Sequence, residues 1–113
     1  MTSQGSAHGR FTRAIAQRSL AAAEIAAKEM GGLALDDALD YLVLLAQLRP
    51  DRAQSAALRW HGRLELESPV LTLVESQLAL SALAALCAGD AEAVVVLRRL
   101  LRRVRPTLLP RAS

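Results

Sequence analysis

The sequence predicts an all-α protein, a compact bundle of about five helices. Hydrophobic residues make up 52% of the 113 positions but aromatic residues only 3%, so alanine and leucine, which favour helix over strand, supply most of the apolar mass. Apolar residues recur at helical spacing in five segments, and no segment alternates between polar and apolar residues as a strand does. The length suits one domain with a small hydrophobic core.

The N-terminal third of the chain predicts a tail and two helices. Residues 1–10 are small and polar, which predicts a disordered N-terminal tail. Helical periodicity covers residues 11–30 as one helix, and Gly31 and Gly32 give a stop signal at its end. The second predicted helix covers residues 36–48 and begins with several acidic residues, which the helix dipole favours at that end.

Three more helices are predicted in the rest of the domain, which spans residues 11–105. The third helix follows Pro50, runs from residue 51 to 67, and has Trp60 at the centre of an inward-facing stripe. The fourth is opened by a capping box of Thr72 and Glu75 and continues to residue 88.

The fifth predicted helix has Asp90 as its N-cap and ends at residue 105, before a proline. Residues 106–113 are then predicted to form a loose C-terminal tail. Cys87, the only cysteine, lies in an apolar stretch and is predicted to be a small core residue.

The second and fourth predicted helices are apolar around nearly all of their circumference. Such helices must be buried, and a five-helix domain of this size has too few neighbours to cover both. The surplus apolar surface predicts a homodimer or a constant protein partner; alternatively, the other three helices wrap both. The candidate interface residues are Tyr41, Leu44, Leu45, Leu48, Leu78 and Leu86.

The last predicted helix contains the segment LRRLLRRVR, in which the arginines share one face of an amphipathic helix. Residues 1–92 hold 8 basic and 11 acidic side chains, whereas residues 93–113 hold six arginines and no acid. The candidate anion-binding or partner-binding residues are Arg98, Arg99, Arg102, Arg103 and Arg105.

Four explanations for this arginine face remain open. The arginines are solvated or paired with acids of the same fold, of which Asp36, Asp37 and Asp40 form the obvious cluster. They otherwise bind an acidic protein partner, the phosphates of a nucleic acid, or a membrane surface. A helix-turn-helix in the first two helices is rejected, because its recognition helix would begin with acids that phosphates repel.

No catalytic, cofactor-binding or metal-binding constellation is predicted, and an enzyme is not expected. His61 and Glu65 have i, i+4 spacing, but this is a weak signal for a metal, and a surface histidine is the better interpretation. The serines have no paired base in view. The longest uncharged run, residues 76–89, is shorter than the roughly 20 residues that cross a bilayer. With a single cysteine and no apolar leader, these features predict a cytoplasmic protein without a membrane span.

Three segments, GGLALDDAL, AALRWHGR and LTLVESQLALSALAAL, give the chain a family resemblance. It resembles uncharacterised small all-helical proteins of high-GC bacteria. The resemblance covers roughly residues 13–88, which leaves the arginine helix outside. It implies a helical fold and no activity, cofactor or site residue.

The combined interpretation is a small helical protein–protein interaction module, homodimeric and of unknown process. The alternative is a nucleic-acid-associated accessory protein that binds phosphates through the arginine face.

Overall fold

The computed structural model describes residues 6–105 and is all-helical in that range, which confirms the predicted fold class. The described residues form one helix more than predicted. The six helices are α1 (Ala7–Ala16), α2 (Leu20–Glu29), α3 (Leu35–Leu48), α4 (Pro50–Glu67), α5 (Leu73–Cys87) and α6 (Ala93–Val104).

The extra helix arises because the segment predicted as one helix over residues 11–30 folds back on itself. The Ser19 side chain accepts a hydrogen bond of 3.2 Å from the backbone N–H of Ala22 and thereby caps α2. Arg18, just before it, adopts a left-handed φ of 60°, which reverses the chain. Because the chain reverses here, α1 and α2 bury their alanines against each other. The two halves of one straight helix could not make this contact.

The first helix also begins inside the predicted disordered tail. Ser6 accepts a hydrogen bond of 2.9 Å from the N–H of Gly9 and caps α1, so residues 7–10 are helical and the prediction of disorder is wrong there. Residues 1–5, and the predicted loose tail at 106–113, lie outside the described residues.

The predictions for the next three helices are confirmed to within one residue. At the start of α5, Glu75 N–H donates to Thr72 Oγ1 over 3.1 Å, and Thr72 N–H donates to Glu75 Oε1 over 3.0 Å. The predicted capping box is therefore present. At α6 the predicted cap is displaced, because Asp90 accepts a hydrogen bond from Glu92 N–H (3.0 Å) in a turn that precedes the helix.

The main core is formed by α3, α4, α5 and α6. Helix α3 is central and packs against each of the other five helices. Trp60 is buried as predicted, and its Nε1–H donates to the carbonyl oxygen of Leu35 over 3.0 Å. The large buried side chains of this core are Leu35, Leu39, Leu42, Trp60, Leu64, Leu83, Leu86, Leu97, Leu100 and Leu101.

A second, smaller cluster joins α1 and α2 to the edge of α3. Its buried members are Phe11, Ala14, Ala23 and Ala26. Tyr41 of α3 packs against this cluster. The fold thus consists of a leucine-rich body, α3–α6, and an alanine-rich helical hairpin, α1–α2.

Candidate interaction surfaces

The chain itself covers most of the α3 side of the predicted interface. Leu44 and Leu45 are buried, so the prediction that they contact a second molecule is wrong. Tyr41 is half-buried against the α1–α2 hairpin, where its hydroxyl donates to Glu24 over 2.6 Å. Leu48, at the end of α3, is exposed. Folding back of α1–α2 supplies the cover that the predicted five-helix arrangement lacks.

On the α5 side of the predicted interface, apolar side chains remain exposed to solvent. Leu86 is buried, which excludes it from an interface, but Leu78 is 46% exposed. Among the described residues, seven of the ten exposed large hydrophobic side chains lie between positions 58 and 80. Because they lie on α4, on α5 and on the connection between these helices, we call the seven the α4–α5 apolar surface: Leu58, Leu66, Val70, Leu73, Val74, Leu78 and Leu80.

A cavity of about 280 Å³ opens between α4 and α5 beside this surface. Leu58 and Leu80 line it from the two helices, and Cys87 lines it as well. Burial raises the pKa of the Cys87 thiol, which keeps the sulfur protonated and uncharged at neutral pH. The groove therefore offers apolar contact and no activated nucleophile.

Three of the five arginines in the arginine face are paired with carboxylates of the same chain. Arg98 contacts Asp40 over 2.7 Å, and Arg105 contacts Asp36 over 3.2 Å. Asp36 and Asp40 are thus confirmed as internal partners of this face, whereas the third acid of the predicted cluster contacts a histidine instead.

The third pair, Arg103 with Glu75, is not anticipated from the sequence. Arg103 also donates to the carbonyl oxygen of Val70 over 2.8 Å. The hydrogen bond from Arg103 lowers the pKa of Glu75, and the backbone N–H of Thr72 adds to that effect. One carboxylate thus caps α5 and ties α6 to it.

The remaining two arginines, Arg99 and Arg102, are exposed and have no hydrogen bond or ion pair with any residue from 6 to 105. Of the two, Arg102 lines a cleft. This cleft, of about 310 Å³, lies between the start of α3 and the second half of α6. Its lining residues are Asp36, Arg98, Leu101, Arg102 and Arg105.

A buried polar cluster links α4 to α5. His61 is 9% exposed, so its predicted surface position is wrong. Its Nε2 lies 2.9 Å from Ser76 Oγ and 3.2 Å from the Ser76 carbonyl oxygen. Ser76 Oγ in turn donates to Glu65 Oε2 over 2.6 Å. The sequence signal for this burial is helical spacing, because His61 lies four residues after Ala57 and three before Leu64, both on the inward stripe of α4.

The hydrogen bonds of this cluster have a structural role and not a catalytic one. A carbonyl oxygen only accepts hydrogen bonds, so the nearby Nε2 of His61 carries the proton and donates. The imidazole nitrogen that faces Ser76 is then unable to remove the hydroxyl proton, which already points to Glu65. The arrangement holds α4 against α5 and does not activate the serine.

Comparison with known proteins gives no relative: no protein-family model matches the chain, nor does any curated protein or solved structure. Within residues 6–105, no group of three or more histidine, cysteine, aspartate or glutamate side chains is placed to hold a metal ion. None of the helices in that range has the length and apolarity required to cross a membrane.

Proposed function

We propose that this protein is a helical protein–protein interaction module that associates with a second copy of itself through the α4–α5 apolar surface. The observation that supports this function is the concentration of exposed large hydrophobic side chains in one part of the sequence. Leu73 is 83% exposed and Leu66 is 86% exposed. Exposed apolar residues are ordinary when scattered, but when gathered on one surface they mark sites of association.

The charge of α5 favours a second copy as the partner. In a two-fold symmetric dimer the same patch faces itself, so any charge at its centre meets a like charge. Residues 76–87 of α5 hold no charged side chain. The part of the surface that this stretch supplies, with Leu78 and Leu80, therefore presents no charge to a copy of itself.

The pairing of Arg98, Arg103 and Arg105 with internal carboxylates supports association over the alternative of nucleic-acid binding. Those three side chains already contact carboxylates of the same chain. For an extended phosphate backbone this leaves Arg99 and Arg102 as the arginines of the face without such a partner among the described residues. The observation agrees with the explanation that the arginine face serves the fold.

The proposal is tested by measuring molar mass by sedimentation velocity at increasing protein concentration. We expect the mass to rise from that of the 12.1 kDa chain towards twice that value. In Leu73→Glu/Leu80→Glu, each substitution removes apolar burial worth about 1.5–3 kcal/mol, so association should weaken at least tenfold.

A matched control is Ile25→Glu, which places the same charge on an exposed apolar position of α2 that is 62% exposed and outside the surface. Circular dichroism establishes that all variants remain helical. A wild-type mass that stays at 12.1 kDa throughout, or equal weakening by Ile25→Glu, would contradict the proposed dimer.

A further inference from the structure

The cleft between α3 and α6 has features that neither the fold nor the proposed dimer requires. Three of its five lining residues are arginines, and Leu101 is the apolar one. None of its residues belongs to the α4–α5 apolar surface. Any activity of this cleft is therefore separable from self-association.

The three arginines of the cleft lie along α6 and at its C-cap. Arg98 and Arg102 have i, i+4 spacing, which places their side chains on the same side of α6. Arg105 is the C-cap of this helix and lines the cleft with them. In this arrangement the three guanidinium groups can converge on one ligand. Arg99 and Arg103 lie outside the cleft, although they belong to the same basic segment.

Two of these arginines are only partly used by their internal partners. Arg98 gives a hydrogen bond from Nη2 to Asp40, and Arg105 gives one from Nη1 to Asp36. Each guanidinium has five N–H donors, so donors remain on both. Arg102 has no partner among the described residues and adds a whole unneutralised charge. The cleft thus combines unused donors with an excess of positive charge.

We propose that this cleft binds a phosphate group, either free phosphate or the monoester of a small molecule. A phosphate monoester presents three strong acceptor oxygens and close to two negative charges. Arginine forks match these oxygens with charge-assisted hydrogen bonds. The cavity volume of about 310 Å³ is at the lower end of the range for small-ligand sites, which suits a compact ligand.

The residues Arg99 and Arg102 allow a matched test of this site. Both are exposed arginines of α6 without a partner in residues 6–105, but only Arg102 lines the cleft. In a calorimetric or NMR titration with glycerol phosphate, Arg102→Gln should weaken binding about tenfold, the loss expected for one hydrogen bond to a charged group. Arg99→Gln removes the same charge and should change binding less than twofold.

A second variant is expected to act in the opposite direction. Asp36→Asn removes the carboxylate that competes for Arg105 and repels the ligand, so phosphate binding should tighten several-fold. Asp36 is exposed at the start of α3, and the substitution keeps its size. Parallel titrations with inorganic phosphate and glycerol phosphate, each at matched sodium chloride concentration, distinguish the free ion from the ester as the preferred ligand.

Three results would overturn the site. The first is no saturable binding of either phosphate by the wild-type protein. The second is equal weakening by Arg99→Gln and Arg102→Gln, which would indicate a general charge effect. The third is binding of duplex DNA, weakened by both variants alike, without binding of small phosphates, which would assign the arginines to a nucleic acid. None of these readouts depends on the monomer–dimer equilibrium.

Discussion

The α1–α2 hairpin and the α3–α6 body are both helical, but they bury very different side chains. The hairpin contains one large buried side chain, Phe11, and three buried alanines. The body buries nine leucines together with Trp60 in its core. Because apolar burial stabilises in proportion to the area removed from water, equal helicity does not imply equal stability.

The contacts between the hairpin and the body also indicate that the hairpin is the less stable region. They include polar contacts near the surface, such as the hydrogen bond from Arg18 to Gln47 (2.6 Å) and the ion pair between His8 and Asp37 (3.2 Å). Exposed pairs of this kind contribute little to stability. We therefore expect the hairpin to open before the body unfolds.

The largest expected difference between the two regions comes from truncating one core side chain in each. Leu39→Ala in the body removes a fully buried side chain and should lower the global free energy of unfolding by about 2–5 kcal/mol. Phe11→Ala in the hairpin should instead abolish amide protection in residues 7–29 and lower the global transition less. Hydrogen exchange followed by mass spectrometry, with denaturant melts, measures both effects. Loss of protection in all helices of Phe11→Ala would show that the two regions unfold as one unit.

A smaller difference is expected from deleting one helix cap in each region. Thr72 caps α5 in the body and Ser19 caps α2 in the hairpin. Removal of an N-cap side chain costs about 1 kcal/mol. Thr72→Ala should lower the global denaturant midpoint, whereas Ser19→Ala should speed exchange only in the hairpin. Equal shifts of the global midpoint would argue against independent opening.

The smallest effect is a dependence of hairpin docking on pH. Burial raises the pKa of Tyr41 above its ordinary value of 10.0, and the hydrogen bond to Glu24 adds to this. A raised pKa in the folded state stabilises below pH 10.0, and this contribution is lost as the pH rises towards the folded pKa. Thermal melts from neutral pH upwards should therefore show a decline that Tyr41→Phe reduces.

At acidic pH the same contact should fail through Glu24. The hydrogen bond from Tyr41 lowers the pKa of Glu24 below 4.5, and Arg52 acts in the same direction. Its contribution is present above pH 4.5 and is lost as the pH falls through the folded pKa. A melting temperature of Tyr41→Phe that follows the wild-type pH profile at both ends would contradict this role for the contact.

The sequence alone determined those features that depend on neighbouring residues. The helical class follows from periodicity, the bounds of α3, α4 and α5 from prolines, glycines and caps, and the capping box from two residues three positions apart. The burial of Trp60 follows from its place in an apolar stripe. The break between α1 and α2 has one local signal, the N-cap Ser19, but residues 17–19 contain neither glycine nor proline, so the periodicity predicts one continuous helix. The break forms because the reversal of the chain lets Phe11 be buried in the cluster between α1 and α2.

Only the tertiary structure decided which apolar and charged faces remain available. Arg98 meets Asp40 across 58 residues, and Arg103 meets Glu75 across 28, distances in sequence over which periodicity gives no register. The same packing covers Leu44 and Leu45 and leaves Leu73 and the other side chains of the α4–α5 apolar surface exposed. The amphipathic pattern of a helix fixes which side chains share a face, but the packing of whole helices selects the face that meets solvent.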